Sequence, residues 1–138
     1  MASTDWAVVL KADGCRLQPD ASIEEIRAVE TALGVALPID LASLYRTSDG
    51  VFDEPGQWFV IWPIEEVLAR NRAAWEIDVP ERRELVGFAD DGTGAPFCVR
   101  GNGEEHVVGW SPIDGAGRVV AQTVAEFWSG WTSGTLVN

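Results

Sequence analysis

The chain is poor in the residues that build metal sites, disulfide frameworks and histidine-dependent active sites. It has only two cysteines, Cys15 and Cys98, and one histidine, His106. Neither cysteine has a second cysteine or a histidine at metal-ligand spacing, so we expect neither a structural zinc site nor a disulfide framework. His106 alone cannot form a catalytic triad without a nucleophile and an orienting acid. The sequence therefore predicts a protein that is not an enzyme and holds no metal or cofactor.

Positive charge and long apolar runs are also scarce. The chain has 10 Lys and Arg against 22 Asp and Glu, a net charge of −12. Such an excess repels phosphate backbones and anionic headgroups, which argues against direct binding of nucleic acid or membrane surfaces. The longest apolar stretch, residues 58–64, is too short to span a bilayer, and residues 1–6 lack the charge pattern of a secretory signal. We therefore expect a cytoplasmic protein.

The composition is that of a soluble globular domain. Of 138 residues, 46% are hydrophobic and 23% are charged, and no repeat or linker divides the chain. A chain of this length can bury one sizeable core without covalent staples. We predict a single domain over residues 1–138, in which residues 1–20 are weakly patterned.

Four segments have the apolar spacing or the caps of helices. The first is the clearest, because Ser22 and Glu25 form a capping box and Gly34 suits a left-handed C-cap. Pro63 suits the first helical position of the third segment. The predicted helices cover residues 22–33, 40–47, 64–76 and 123–131.

The remaining patterned segments are typical of strands. The run 57–62 is aromatic and β-branched, and short strands separated by turns follow from residue 84 onward. This order predicts an α+β fold with a mostly antiparallel sheet of about four to six strands. We expect helices to pack against one face of the sheet, with two N-terminal helices and one C-terminal helix. The predicted strands are 57–62, 84–89, 96–100, 106–110 and 118–121.

Few residues suggest catalysis. The run 90–94, Asp-Asp-Gly-Thr-Gly, does not match the ligand spacing of an EF-hand, and its carboxylates suit backbone capping better. Cys98 lies in an apolar strand, which favours a buried, inert thiol, and Asn71 is best interpreted as a buried amide bonded to a loop carbonyl. A small metal-dependent hydrolase using Asp90, Asp91 and His106 is the weakest alternative.

Seven tryptophans are the most unusual feature of the composition. Most should lie in the core, but tryptophan inside a polar rim is also a common anchor of protein interfaces. Trp58, Trp62 and Trp110 fall on predicted strands near acidic pairs, and we predict them as the apolar anchors of a partner-binding face. The alternative is a packed sheet with a solvated acidic surface. The predicted acidic rim consists of Asp53, Glu54, Asp90, Asp91, Glu104 and Glu105.

The order of motifs resembles the SUKH superfamily, the Smi/Knr-type domain. The resemblance begins with a helix, Leu33-Gly34, Leu37-Pro38, a second helix and Asp49-Gly50. It continues through residues 59–71 and 86–94, although Ala95 stands where the family often has an acidic residue, and it ends with the segment 123–131. Further residues that carry it are Ile23, Ile26, Glu30, Asp40, Leu41 and Tyr45.

The resemblance implies a non-enzymatic α+β domain that binds proteins. Many bacterial members are immunity proteins that neutralise nuclease or deaminase toxins, whereas others, chiefly eukaryotic, regulate cell-wall synthesis and signalling. The charge of −12 suits an inhibitor that mimics nucleic acid on a basic toxin domain. We therefore predict an immunity protein. A regulatory or scaffold module without a toxin partner is the alternative, and a homodimer through the Trp58/Trp62 face is also left open.

Overall fold

The computed structural model describes residues 4–11, 14–77 and 79–136. Within these ranges the chain forms six helices and seven strands. In chain order they are α1 Trp6–Val9, β1 Cys15–Leu17, α2 Ile23–Leu33, α3 Ile39–Thr47, β2 Val51–Asp53, β3 Trp58–Ile61, α4 Ile64–Trp75, α5 Pro80–Arg83, β4 Leu85–Asp90, β5 Pro96–Arg100, β6 Val107–Ser111, β7 Ala116–Ala121 and α6 Val124–Ser133.

The strands form one antiparallel sheet in the order β1 to β7, and each strand pairs with the next one in the chain. The predicted α+β fold is confirmed, with seven strands where four to six were expected. The two unpredicted strands, β1 and β2, have three residues each, too few for an alternating pattern to stand out. Because the sheet is a meander, the β2–β3, β4–β5 and β6–β7 turns meet at one end, called here the hairpin end.

Local capping signals fix the ends of α2 as predicted. Ser22 Oγ accepts from the Glu25 amide at 3.1 Å, the Glu25 carboxylate accepts from the Ser22 amide at 3.1 Å, and Gly34 has φ of 70°. The prediction for Pro63 was wrong by one residue. Pro63 has extended ψ of 151° and precedes α4, so the first helical amide is that of Ile64, which donates to Asp49 Oδ1 at 2.7 Å.

The central strands divide their side chains between two hydrophobic clusters. Val86, Val99 and Val107 lie in the main core, where the Phe127 ring of α6 packs with its centroid 4.8 Å from that of Phe97. The alternate residues of the same strands, among them Cys98, belong to a smaller cluster. Alternation along a strand places the two clusters on opposite faces of the sheet. The smaller cluster consists of Leu85, Cys98, Val108 and Trp110, with Val79 packed against it.

Buried polar side chains close the part of β4 that β3 does not reach. β3 pairs with β4 only at Ile61 and Ala89, after which the chain turns into α4. There Asn71 Oδ1 accepts from the Gly87 amide at 2.7 Å, and Asn71 Nδ2 donates to the Gly87 carbonyl at 2.8 Å. The Asn71 amide thus satisfies the strand edge as a peptide group would. Asn71 is buried as expected, but it bonds a strand rather than a loop.

The weakly patterned N-terminal segment contributes one large core residue. Trp6 in α1 is buried, and its Nε1 donates to the Asp40 carbonyl of α3 at 3.0 Å. The indole of Trp128 in α6 donates to the Val9 carbonyl at 2.9 Å. Two tryptophans therefore attach the short first helix to the body of the fold.

Candidate functional site

The hairpin end carries a groove where aromatic and charged side chains meet. It has a volume of about 570 Å³ and lies between β3, α4 and the β4–β5 loop. Its lining includes the half-buried rings of Trp58 and Phe59, the Arg70 side chain and the backbone of residues 90–94. We call this groove, together with the neighbouring β2–β3 turn and the side chains that contact them, the acidic corner; these side chains are Arg16, Phe52, Glu66 and Trp131. It gathers five of the nine residues predicted for a partner-binding face: Trp58, Asp53, Glu54, Asp90 and Asp91.

Asp90 is the buried carboxylate of the acidic corner. Its side chain is nearly buried, and its carboxylate accepts from Trp62 Nε1 at 2.8 Å and from the Gly92 amide at 2.7 Å. Arg70 Nη1 lies 3.7 Å from the same carboxylate. Asp90 therefore fixes the β4–β5 loop and the Trp62 indole, and it presents little of its charge to solvent.

Asp91, the next residue, is partly exposed and has a different environment. Its Oδ1 accepts from the Thr93 amide at 2.9 Å and from the Thr93 hydroxyl at 2.5 Å. These bonds form a turn that lifts residues 92–94 to the surface, where all three are exposed. Asp91 thus places a carboxylate at the mouth of the groove.

Trp62 supports the groove but is not available as a surface anchor. Only 4% of its surface is exposed, because the Arg70 guanidinium lies 4.7 Å from the ring centroid and Gly87 leaves room for the ring on β4. Arg70 is held in turn by Glu66, whose carboxylate accepts from Nε at 2.8 Å. The Arg70 guanidinium therefore makes a cation–π contact with Trp62, and the Glu66 carboxylate holds the guanidinium in place.

Trp58 is the one predicted anchor that stays partly exposed at the acidic corner. One edge of its indole meets Trp131 of α6, with 6.0 Å between ring centroids and 76° between ring planes. Gly92 lies over the indole, where a β-carbon would make an ordinary contact at 3.5 Å, and its φ of +88° is what favours glycine in this turn. Trp58 therefore joins the core to the surface.

Two phenylalanines of the acidic corner were not predicted as site residues. The rings of Phe52 and Phe59 pack edge to face with centroids 5.0 Å apart, and both side chains are half-buried. The Arg16 guanidinium lies 5.0 Å over Phe52 and also pairs with Glu54 at 2.9 Å. Neither ring belongs to either hydrophobic cluster. Phe52 lies in a strand too short to be recognised from sequence, which is why this pair was missed.

The remaining predicted residues lie elsewhere. Trp110 is 7% exposed in the smaller cluster, so it does not stand on a common face with Trp58. Glu104 and Glu105 follow β5 at the opposite end of the sheet, next to Ile39, which is 88% exposed. The predicted acidic rim is therefore divided between the two ends of the sheet.

The residues of the hydrolase alternative are not brought together. Asp90 and Asp91 precede β5, whereas His106 follows it and has Nδ1 3.7 Å from Glu104 Oε2.

Burial raises the pKa of the Cys98 thiol to about 12, which keeps it protonated and unreactive at neutral pH. Among the described residues, no group of three or more His, Cys, Asp or Glu is placed to hold a metal ion. No helix in the described ranges is long and apolar enough to cross a membrane.

The family model for the SMI1 / KNR4 family (SUKH-1) matches residues 20–130, from just before α2 into α6. The chain belongs to the SMI1/KNR4 family. The match contains the Leu33-Gly34 and Leu37-Pro38 motifs and the whole acidic corner apart from Arg16 and Trp131. SUKH domains bind partner proteins. A search of curated proteins finds no match.

Proposed function

We propose that this SUKH domain is a non-enzymatic immunity protein that binds and neutralises a toxin domain of the nuclease or deaminase type. The observation that carries the proposal is the acidic corner, where five carboxylates and two guanidinium groups lie beside partly buried aromatic rings. The carboxylates are Asp53, Glu54, Glu66, Asp90 and Asp91, and the guanidinium groups are Arg16 and Arg70.

The charge of this corner suits a basic partner. Enzymes that act on nucleic acids bind phosphates through Lys and Arg, so their active-site surface attracts a carboxylate cluster. The net charge of −12 on the whole chain extends the attraction beyond the contact itself and accelerates encounter. An inhibitor of this kind acts by occupying the surface that the substrate would use.

The aromatic rings supply apolar contact area, which charged groups alone do not provide. Trp58 and Phe59 line the groove and offer apolar area, with Phe52 packed on Phe59, while the pairs Arg16–Glu54 and Arg70–Glu66 add polar groups around them. Interfaces commonly combine an aromatic centre with such a rim, and the centre carries most of the affinity. We therefore assign the partner contact to the acidic corner, with Trp58, Phe59 and Asp91 as direct contacts.

The test uses the protein encoded beside this chain in its own genome, produced as an isolated C-terminal domain with its catalytic residue replaced. We expect a 1:1 complex on size-exclusion chromatography with light scattering, and an affinity that weakens as salt is raised from 50 to 500 mM, concentrations chosen to span about a threefold change in Debye length. Co-expression with the active toxin should restore growth.

Trp58→Ala should weaken the complex, whereas Arg72→Ala, at an exposed position of α4, should not. Recovery of the chain only with a host regulator, and no binding to the neighbouring domain, would contradict the proposal and favour a scaffold role.

A further inference from the structure

A second groove adjoins the acidic corner on the far side of the β4–β5 loop. It has a volume of about 840 Å³ and lies between that loop and the β6–β7 hairpin. Residues Thr93 and Gly94 line both grooves, so the loop is a shared wall. On the outer rim stands Ile113, which is 96% exposed at the tip of the hairpin.

The hairpin holds Ile113 in a fixed position. Ser111 Oγ donates to Asp114 Oδ2 and accepts from the Asp114 amide, each at 3.2 Å, and the Gly115 amide donates to the Ser111 carbonyl at 2.8 Å. These bonds span the tip, and Pro112 further restricts the backbone. An apolar side chain on a preorganised turn loses little conformational freedom when a partner covers it.

The floor of the groove is formed by small residues of β7. A β-carbon at position 117 would lie 2.7 Å from Val108 Cγ1 and 3.5 Å from the Trp110 ring, so glycine lets β7 pack directly over these two buried side chains. Ala116 and Gly117 are both exposed, and they leave room above Trp110. The small residues therefore leave an open groove beside the exposed Ile113, with room for side chains of a partner.

We infer that this second groove, with Ile113 on its rim, is a further contact for the same basic toxin domain that binds the acidic corner. The inference rests on the proposed function. Two observations favour this occupant over a second copy of the chain. The shared loop residues make the two grooves one continuous surface, and two copies that each carry −12 repel one another.

The experiment measures the affinity of the inactive toxin domain for Ile113→Ser and for a matched control, Ile39→Ser. Both isoleucines are almost fully exposed, so neither change should alter the unfolding midpoint of the free protein. Ile39 lies at the opposite end of the sheet. We expect Ile113→Ser to raise Kd by about fivefold or more, as loss of an interface anchor does, and Ile39→Ser to change it by less than about twofold.

The outcomes separate this inference from the proposed function. Tight binding of the wild type with an unchanged Kd for Ile113→Ser overturns only the second contact. If only Ile39→Ser weakens binding, the contact lies at the other end of the sheet, and the inference of a second contact at Ile113 is overturned as well. Failure of the wild type to bind the toxin overturns both proposals. If Ile113→Ser instead abolishes self-association of the free chain, measured by analytical ultracentrifugation, the groove belongs to a dimer and the inference is wrong.

Discussion

Asp90 and Asp91 are neighbours in the chain, yet they serve different purposes at the residue scale. Asp90 points inward and accepts from Trp62 and Gly92, whereas Asp91 stands at the mouth of the groove and accepts from Thr93. Charge reversal at both positions would therefore mix a folding defect with a binding defect. A test of the acidic corner has to separate them.

Asp91→Asn is the cleaner substitution, because an asparagine oxygen can still accept from Thr93 while the charge is lost. We expect its association rate with a basic partner to fall by about two- to fivefold at low salt, with a shallower dependence on ionic strength. Stopped-flow fluorescence checks this. Glu24→Gln, an exposed carboxylate at the start of α2, gives the control for an equal change in net charge. Equal effects of the two variants would remove Asp91 from the interface.

Asn71 pairs the part of β4 that β3 leaves without a neighbouring strand. Asn71→Ala removes the partners of the Gly87 amide and carbonyl, both buried, and also the acceptor for Arg82 Nη2 at 3.1 Å. Because unpaired buried polar groups are costly, we expect the free energy of unfolding to fall by about 2–4 kcal/mol in urea titrations. Arg72→Ala, at the next and exposed position of α4, should cost less than about 0.5 kcal/mol. A small effect of Asn71→Ala would mean that water replaces the amide.

At the element scale, the junction between β3 and α4 is held by the end of α3. Tyr45 Oη donates to the Trp62 carbonyl at 2.6 Å, and Asp49 accepts from the first amide of α4. Pro63 keeps the backbone extended between them. This arrangement sets the direction of α4 and so places Arg70 at the acidic corner.

Asp49 makes the stability of this junction depend on pH. Burial raises the pKa of its carboxyl above the ordinary value of 3.8, the hydrogen bond from Ile64 lowers it, and the charges of Glu25 and Glu65 raise it. A raised pKa in the folded state means that the protonated form is favoured by folding. The contribution is therefore fully present below pH 3.8 and is lost as pH rises through the raised pKa.

Asp49→Asn keeps an acceptor for Ile64 but cannot titrate. The stability of the wild type relative to this variant should decrease as pH rises from about 3.8 to neutrality, as followed by urea unfolding at several pH values. Asp49→Ala, which also loses the cap, should be less stable than Asp49→Asn by about 1 kcal/mol at pH 7. A difference between wild type and Asp49→Asn that does not change with pH would refute this account.

At the scale of the whole molecule, topology and net charge act together. A seven-stranded meander gathers three turns at the hairpin end, and two of them, β2–β3 and β4–β5, carry Asp53, Glu54 and Asp91. The same charge excess that would attract a basic partner also makes the folded chain repel itself. Affinity and intrinsic stability are therefore expected to respond to salt in opposite directions.

Screening should reveal this opposition directly. Raising sodium chloride from 50 to 500 mM should increase the Tm of the free chain by about 2–5 °C at pH 7, because a net charge of −12 is screened. Near the isoelectric point of about 4.3 the same addition should have little effect, since the net charge is close to zero. Differential scanning calorimetry at both pH values makes the comparison. An equal rise at both would point to a salt effect on apolar burial instead.

The features that the sequence alone determined are local ones. The α2 capping box, Gly34, the run Pro96–Arg100 and the order of family motifs depend on residues a few positions apart, where spacing and backbone preference act directly. Tertiary structure decided which tryptophans reach the surface. Trp58, Trp62 and Trp110 carry the same strand signal, but Arg70 covers Trp62, the smaller cluster encloses Trp110, and only Trp58 of the three stays partly exposed. Burial is set by what packs against a side chain from distant parts of the chain, and no local pattern contains that information.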